Sequence, residues 1–82
     1  MMKEGLLWYD GDPGRDLAEK VHAAAKRYSQ KYGAPPNVCY VHPSAVDQEP
    51  HMRDVGGVQL STLTSVLRNH FWLGLEDPAR AN

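Results

Sequence analysis

The segment DPGRDLAEKVHAAAKRYSQKYGAPP, residues 12–36, carries the clearest structural signal in this chain of 82 residues. Asp12 is a suitable N-cap, and Pro13 fits the first helical position, where its missing N–H costs nothing. Gly33, followed closely by two prolines, predicts the end of the helix. We therefore predict a helix over residues 13–32, about 30 Å long at ~1.5 Å per residue.

One side of this predicted helix is apolar. Its apolar side chains fall within about 100° of one another on a wheel of 3.6 residues per turn. They are Leu17, Val21, Ala24, Ala25, Tyr28 and Tyr32. A row of cations, Lys20, Arg27 and Lys31, follows one edge of the helix and would suit an acidic partner. Cations also stabilise the C-terminal end of a helix, which explains Arg27 and Lys31 without a partner.

Apolar runs on either side of the helix predict strands. Residues 6–9 (LLWY) and 38–41 (VCYV) are apolar at successive positions and rich in aromatic or β-branched side chains. We place the two strands at residues 5–10 and 37–42, the second ended by Pro43, which lacks a ladder donor. Strand, helix and strand in succession form a β-α-β unit, so these two strands should run parallel.

The C-terminal half predicts a loop and then a hairpin. Residues 44–57 form a long polar connection with Pro50 and two glycines, a length that indicates either a functional or a loosely ordered segment. From residue 58, apolar and polar residues alternate, and Phe71–Leu75 forms a last strand, so we predict a hairpin over 58–76. Its turn lies either at Thr64-Ser65 or at Asn69-His70, because asparagine tolerates the left-handed conformation of tight turns.

Together these elements predict one domain over residues 1–82, with a polar tail at 77–82. The expected fold class is α/β (α+β): a small mixed sheet of three or four strands, in the order β-α-β-β(-β), with one long helix packed on one face. A core of this size gives only marginal stability, since roughly 60–65% of the unfolded chain's surface can be buried at this length.

Composition narrows the classes of function. The net charge of −1 and a pI near 6.4 argue against nucleic-acid binding, because they provide no general attraction to phosphate. The apolar runs are too short to span a bilayer, and the first ten residues read as a strand rather than a signal peptide. A single cysteine cannot close an intrachain disulfide, which favours a reducing, cytoplasmic setting.

The predicted sheet has more apolar surface than one helix can cover. Because side chains alternate between the faces of a strand, Trp8, Tyr40 and Trp72 are left as a candidate aromatic surface. Either the 44–57 loop or the tail folds over that surface, or a second chain does, since large exposed apolar patches mark interaction sites. We favour the second chain, most simply in a two-fold homodimer.

The segment NVCYVHPSA, residues 37–45, raises the question of a chemical site. Cys39 and His42 are three residues apart, so on a strand they point to opposite faces and cannot coordinate the same metal ion. A lone cysteine in an apolar strand is most often a buried hydrophobe. We therefore predict that Cys39 belongs to the core, and we predict no metal site and no cofactor.

Two hypotheses for function follow. The first is a non-catalytic interaction or accessory protein that self-associates through Trp8, Tyr40 and Trp72. The alternative is a small enzyme or ligand-binding protein whose site lies at the carboxyl edge of the sheet, where open α/β sheets bind ligands. There His42 would act as acid, base or ligand donor, supported by Asp10 or by His51 from the loop.

Overall fold

The computed structural model describes residues 5–47 and 49–76, which form a five-stranded sheet with one α-helix on one face. In chain order the elements are β1 (Gly5–Tyr9), α1 (Leu17–Tyr32), β2 (Val38–Val41), the 3-10 helix η1 (Pro43–Val46), β3 (Asp54–Val55), β4 (Val58–Thr62) and β5 (His70–Gly74). The mixed α+β class is confirmed. The prediction of three or four strands is wrong because it omits β3, which has two residues and is too short to show an alternating pattern.

The helix begins later than its sequence predicts. Asp16, not Asp12, is the N-cap: its carboxylate accepts the Glu19 N–H at 2.8 Å, and the Glu19 carboxylate accepts the Asp16 N–H at 3.3 Å. This reciprocal capping box satisfies two backbone donors, the N–H groups of Asp16 and Glu19. Asp12 instead accepts the Gly14 N–H at 2.8 Å in the preceding turn. The predicted end is confirmed, because Gly33 caps the helix with a left-handed φ of 77°.

The sheet order is β1-β5-β2-β4-β3, and it corrects the predicted hairpin over residues 58–76. Strand β4 pairs parallel with β2, while β5 lies between β1 and β2 and runs antiparallel to both. Strands β1 and β2 therefore share a direction, as predicted, but are not neighbours. The actual hairpin joins β3 to β4 through Gly56 and Gly57, both at positive φ. A sequence shows which segments are strands more readily than which strands pair.

The core lies between the helix and one face of the sheet. Its buried side chains come from the helix (Leu17, Val21, Ala24, Tyr28) and from the strands (Cys39, Val41, Val58, Leu60, Phe71, Leu73). The predicted core position of Cys39 is confirmed, since its thiol is buried and unpaired with another cysteine. Burial raises the pKa of that thiol to about 12, because the thiolate would lose its hydration.

The predicted 44–57 loop is not a single loop, because it contains β3 and all but the first residue of η1. Its apolar side chains, Ala45, Val46, Met52 and Val55, pack against the core on the helix side. These side chains therefore add to the cover that the helix already gives. The predicted tail, residues 77–82, lies outside the described residues.

Candidate interaction surface

Strand register places a row of side chains on the sheet face opposite the helix. Leu7 pairs with Trp72, Trp72 with Tyr40, and Tyr40 with Ser61, so the row crosses four strands. Directly paired residues project from the same face of a sheet. Tyr9, two residues beyond Leu7 on β1, projects from that face as well. We call the surface formed by Leu7, Tyr9, Tyr40 and Trp72 the open face.

The predicted aromatic surface is only partly correct. Tyr40 and Trp72 lie on the open face, but Trp8 pairs with Phe71 and packs against the core on the helix side. Leu7 occupies the position on β1 that the sequence assigned to Trp8. Four successive apolar residues in β1 give no polar position from which to infer the phase of the alternation. The indole Nε1 of Trp8 is buried and has no hydrogen-bond partner among the described residues.

On the open face, the exposed apolar surface is concentrated at β1. Leu7 is 58% exposed and Tyr9 is 64% exposed, whereas Tyr40 and Trp72 are half-buried. The ring of Tyr9 also lies against His70, with ring centroids 5.1 Å apart. The most accessible part of the open face therefore borders the outer edge of the sheet.

The Trp72 indole lies close to Gly5 of β1. A Cβ atom at Gly5 would lie 3.1 and 3.2 Å from two atoms of the Trp72 indole and only 2.5 Å from the Leu73 carbonyl oxygen. The approach to the carbonyl oxygen is too close for a side chain, and the approach to the indole would displace it by a few tenths of an ångström. Gly5 therefore gives the indole a place against the backbone of β1, a contact that sequence patterns alone did not indicate.

Tyr40 is anchored by a carboxylate at the far side of the same face. Its hydroxyl donates to the Glu76 carboxylate at 2.6 Å. The side chain of Asn37 fixes the backbone of Glu76, donating to its carbonyl at 2.9 Å and accepting its N–H at 2.8 Å. The hydrogen bond to Glu76, with burial and the negative charge of that carboxylate as further causes, raises the pKa of Tyr40 to about 12.

The residues predicted for a ligand site are not brought together. Asp10 and His42 follow two strands that β5 separates, and Asp10 forms an ion pair with Arg15 at 3.6 Å. His42 is the N-cap of η1, and its Nδ1 accepts the Ser44 N–H at 3.0 Å. His51 is exposed and lines a separate groove over residues 49–54.

The Ser44 hydroxyl lies 2.8 Å from His42 Nδ1, an arrangement that resembles a nucleophile and its base. The same nitrogen accepts the backbone N–H of Ser44, which places the neutral ring's proton on Nε2. The pair is fully explained as the cap of η1. No third group orients Nε2 in the described contacts, so the geometry supplies no catalytic relay.

A cleft of about 620 Å³ lies beside Ser44, between the start of the helix, η1 and the start of β5. Its charged lining consists of Arg15, Lys20 and Arg68 against Asp16, Asp47 and Glu49. Three cations and three carboxylates leave no net charge to select a ligand. None of the predicted ligand residues Asp10, His42 and His51 lines this cleft.

Within the described residues, no group of three His, Cys, Asp or Glu side chains lies close enough to hold a metal ion. No helix in that part of the chain is both long and apolar enough to cross a membrane. Comparison of the chain with protein-family models, with curated proteins and with solved structures gives no significant match.

Proposed function

We propose that this protein is a non-catalytic interaction module that self-associates through the β1 side of its open face. The observation that carries the proposal is the exposure of Leu7 and Tyr9 beside Trp72, on a face that α1 does not cover. A cytoplasmic setting, predicted from the single cysteine, fits this role.

The arrangement of these side chains supports an interface more than their number does. Single exposed apolar residues are normal on protein surfaces, and Leu67, 68% exposed in the connection before β5, is one of them. Leu7 and Tyr9, in contrast, adjoin Trp72 and extend a row of apolar side chains across the sheet. Contiguous apolar surface of this kind is typical of interaction sites, where aromatic residues are enriched.

The proposed partner is a second copy of this chain. Two chains of net charge −1 repel each other only weakly, and β1 itself contains no charged residue. Leu7 and Tyr9 expose on the order of 200 Å² per chain, so contact between two copies would remove a substantial apolar area from water. After the entropic cost of association, we expect a dissociation constant in the micromolar range.

Sedimentation equilibrium over a hundredfold dilution tests this proposal. We expect a mass that rises from 9.2 kDa toward twice that value as the concentration increases. Tyr9→Ser should weaken association at least tenfold, whereas Leu67→Ser, which removes an equally exposed side chain outside the sheet, should leave it unchanged. A particle that stays at 9.2 kDa at the highest concentration would overturn the proposal.

A ligand-binding role at the cleft is the second candidate function, and the volume of the cleft favours it. About 620 Å³ falls within the ~300–1,000 Å³ usual for small-molecule sites. The residues that would bind the ligand are Arg15, Ser44 and Arg68, in place of the predicted Asp10, His42 and His51. Native mass spectrometry of the purified protein tests this role: a retained small molecule that Arg68→Ala loses would support it, and bare protein would count against it.

A further inference from the structure

The two outer edges of the sheet differ in how they are protected. Strand β3 forms one edge with only two residues, begins at the charged Asp54 and ends at the Gly56-Gly57 turn. Strand β1 forms the other edge with five residues, GLLWY, none of them charged and none proline. Short strands, charges and prolines are the usual protection against strand pairing between molecules. Strand β1 has none of these protections.

The hydrogen-bonding groups of β1 that face outward can be identified. The Asp10 N–H donates to the Asn69 carbonyl at 2.9 Å, which continues the β1–β5 register by one residue. Directions alternate along a strand, so Leu6 and Trp8 also bond toward β5, while Gly5, Leu7 and Tyr9 direct their N–H and C=O groups outward.

A second contact supports this assignment. The Tyr32 hydroxyl on the helix donates to the Gly5 carbonyl at 3.3 Å, as expected for an oxygen that faces away from β5. A carbonyl oxygen has two lone pairs and can accept a further hydrogen bond. The backbone groups of Leu7 have no such side-chain partner among the hydrogen bonds of the described residues.

We propose that two copies pair their β1 strands antiparallel, with Leu7 opposite Leu7 of the second copy, to form one continuous sheet of twice five strands. This inference rests on the self-association proposed above and specifies its geometry. The occupant of the β1 edge is thus a second β1, whose outward groups are complementary to the first by two-fold symmetry.

The register follows from the positions of the outward groups. With Leu7 at the two-fold axis, Gly5 faces Tyr9 of the second copy and Tyr9 faces its Gly5, so all three outward-facing residues find partners. A shift of one residue would present inward-facing groups, and a shift of two would leave a residue unpaired.

Side chains favour the same register. Gly5 has no side chain, so the ring of Tyr9 from the second copy can lie across it and against the Trp72 indole that already covers Gly5. Aromatic side chains placed across from glycine are a known way to stabilise strand pairing. The two Leu7 side chains would meet on the open face at about 5 Å, the usual separation of cross-strand neighbours. Edge pairing therefore also buries the most exposed part of the open face.

A matched pair of variants separates edge pairing from other forms of self-association. Leu7→Ser and Leu7→Pro both remove the leucine side chain, but only proline removes the outward N–H, and proline is tolerated at such positions on edge strands. Because symmetry doubles the lost hydrogen bond, we expect Leu7→Pro to weaken dimerisation about tenfold or more beyond Leu7→Ser in sedimentation equilibrium. Equal dissociation constants for the two variants would overturn edge pairing while leaving self-association intact. A wild-type chain that remains monomeric would overturn both.

Cross-linking gives a second measurement if Leu7→Pro does not fold. Leu7→Cys should form an intermolecular disulfide under mild oxidation, because Cα atoms of directly paired strand residues lie about 5.5 Å apart. Ser61→Cys is the control, since Ser61 lies in the same row but on β4, three strands and about 14 Å from β1. Efficient cross-linking of Ser61→Cys instead would indicate that two sheets stack face to face and would overturn edge pairing.

Discussion

The two faces of the sheet are built from alternate residues of the same strands, yet only one of them is a core. Leu73 on β5 is fully buried beneath the helix, and its neighbour Trp72, on the open face, is half-buried. Strands β1, β2 and β5 carry apolar side chains on both faces, so their composition does not explain the difference. The difference comes from the connections, because α1, η1 and the segment before β3 all pack on the helix side.

This distribution has a physical cause in chain length. A 16-residue helix is about 24 Å long and covers one face of a sheet of this size, but a second layer would need another helix and its connections. The chain places its remaining apolar side chains around the first layer, where they enlarge a single core. A surface left open in this way is available for an intermolecular contact.

The largest expected effect separates the two faces by stability. Leu73→Ala should reduce the free energy of unfolding by about 2–5 kcal/mol, because it removes a fully buried side chain and leaves a cavity. Leu7→Ala should cost less than about 1 kcal/mol, since Leu7 is already exposed in the monomer. Urea unfolding at a protein concentration that favours monomer measures both. Equal losses would show that the open face is covered as well as the helix face.

The second expected effect concerns the reactivity of thiols on the two faces. Cys39 should react slowly with a thiol reagent at pH 8 in the native state and rapidly in urea, because burial holds the pKa of its thiol near 12 and only the thiolate reacts. In Leu7→Cys, at a protein concentration that favours monomer, the added thiol on the open face should react rapidly without urea. Equal native reactivity of the two thiols would contradict the core position of Cys39.

The raised pKa of the Cys39 thiol also predicts a loss of stability at alkaline pH. The unfolded chain releases the Cys39 proton near 9.0, while the folded chain retains it to about 12. The folded state is therefore unaffected by this group below pH 9 and loses stability as the pH rises from 9 toward 12. Unfolding in urea at pH 8 to 11 measures the slope, which Cys39→Ala should reduce. An unchanged slope in that variant would count against the shift.

The smallest expected effect concerns Tyr40, whose hydroxyl donates to Glu76 on the open face. Tyr40 should lose its proton near pH 12 rather than near 10, because the Glu76 carboxylate accepts its hydroxyl hydrogen bond. The stabilisation from this bond is complete below pH 10 and is lost as the pH rises through about 12. Absorbance titration of tyrosinate should show a component near 12 that Tyr40→Phe removes and Glu76→Gln moves toward 10. A titration curve unaffected by Glu76→Gln would contradict the bond.

Local signals predicted their elements well. The end of the helix at Gly33 and the strand containing Cys39 lie where the sequence indicates. The start of the helix was missed although the signal was present: Asp16 and Glu19 have the spacing of a capping box, which gives two hydrogen bonds where Asp12 offers one.

The candidate surface was predictable only in part. Tyr40, Trp72 and Trp8 all stand in apolar runs that offer no polar position from which to infer a face. Tyr40 and Trp72 lie on the predicted face, but Trp8 lies on the helix side. Its face is set by pairing with Phe71, a residue 63 positions later in the chain. The close approach of Gly5 and the Trp72 indole is likewise a contact between distant residues. The strand order, with β5 between β1 and β2, excludes the simple hairpin predicted over residues 58–76.

The amino-acid sequence by itself determined the helix with its left-handed glycine end, the main strands, and the burial of Cys39. These features depend on backbone conformation, capping and side-chain periodicity, whose free energies arise within a few residues. Tertiary structure alone decided which strands pair, which face Trp8 joins and which edge of the sheet is left unprotected. Those outcomes depend on competition between distant segments for the same apolar surface, and one helix that can cover only one face decides that competition.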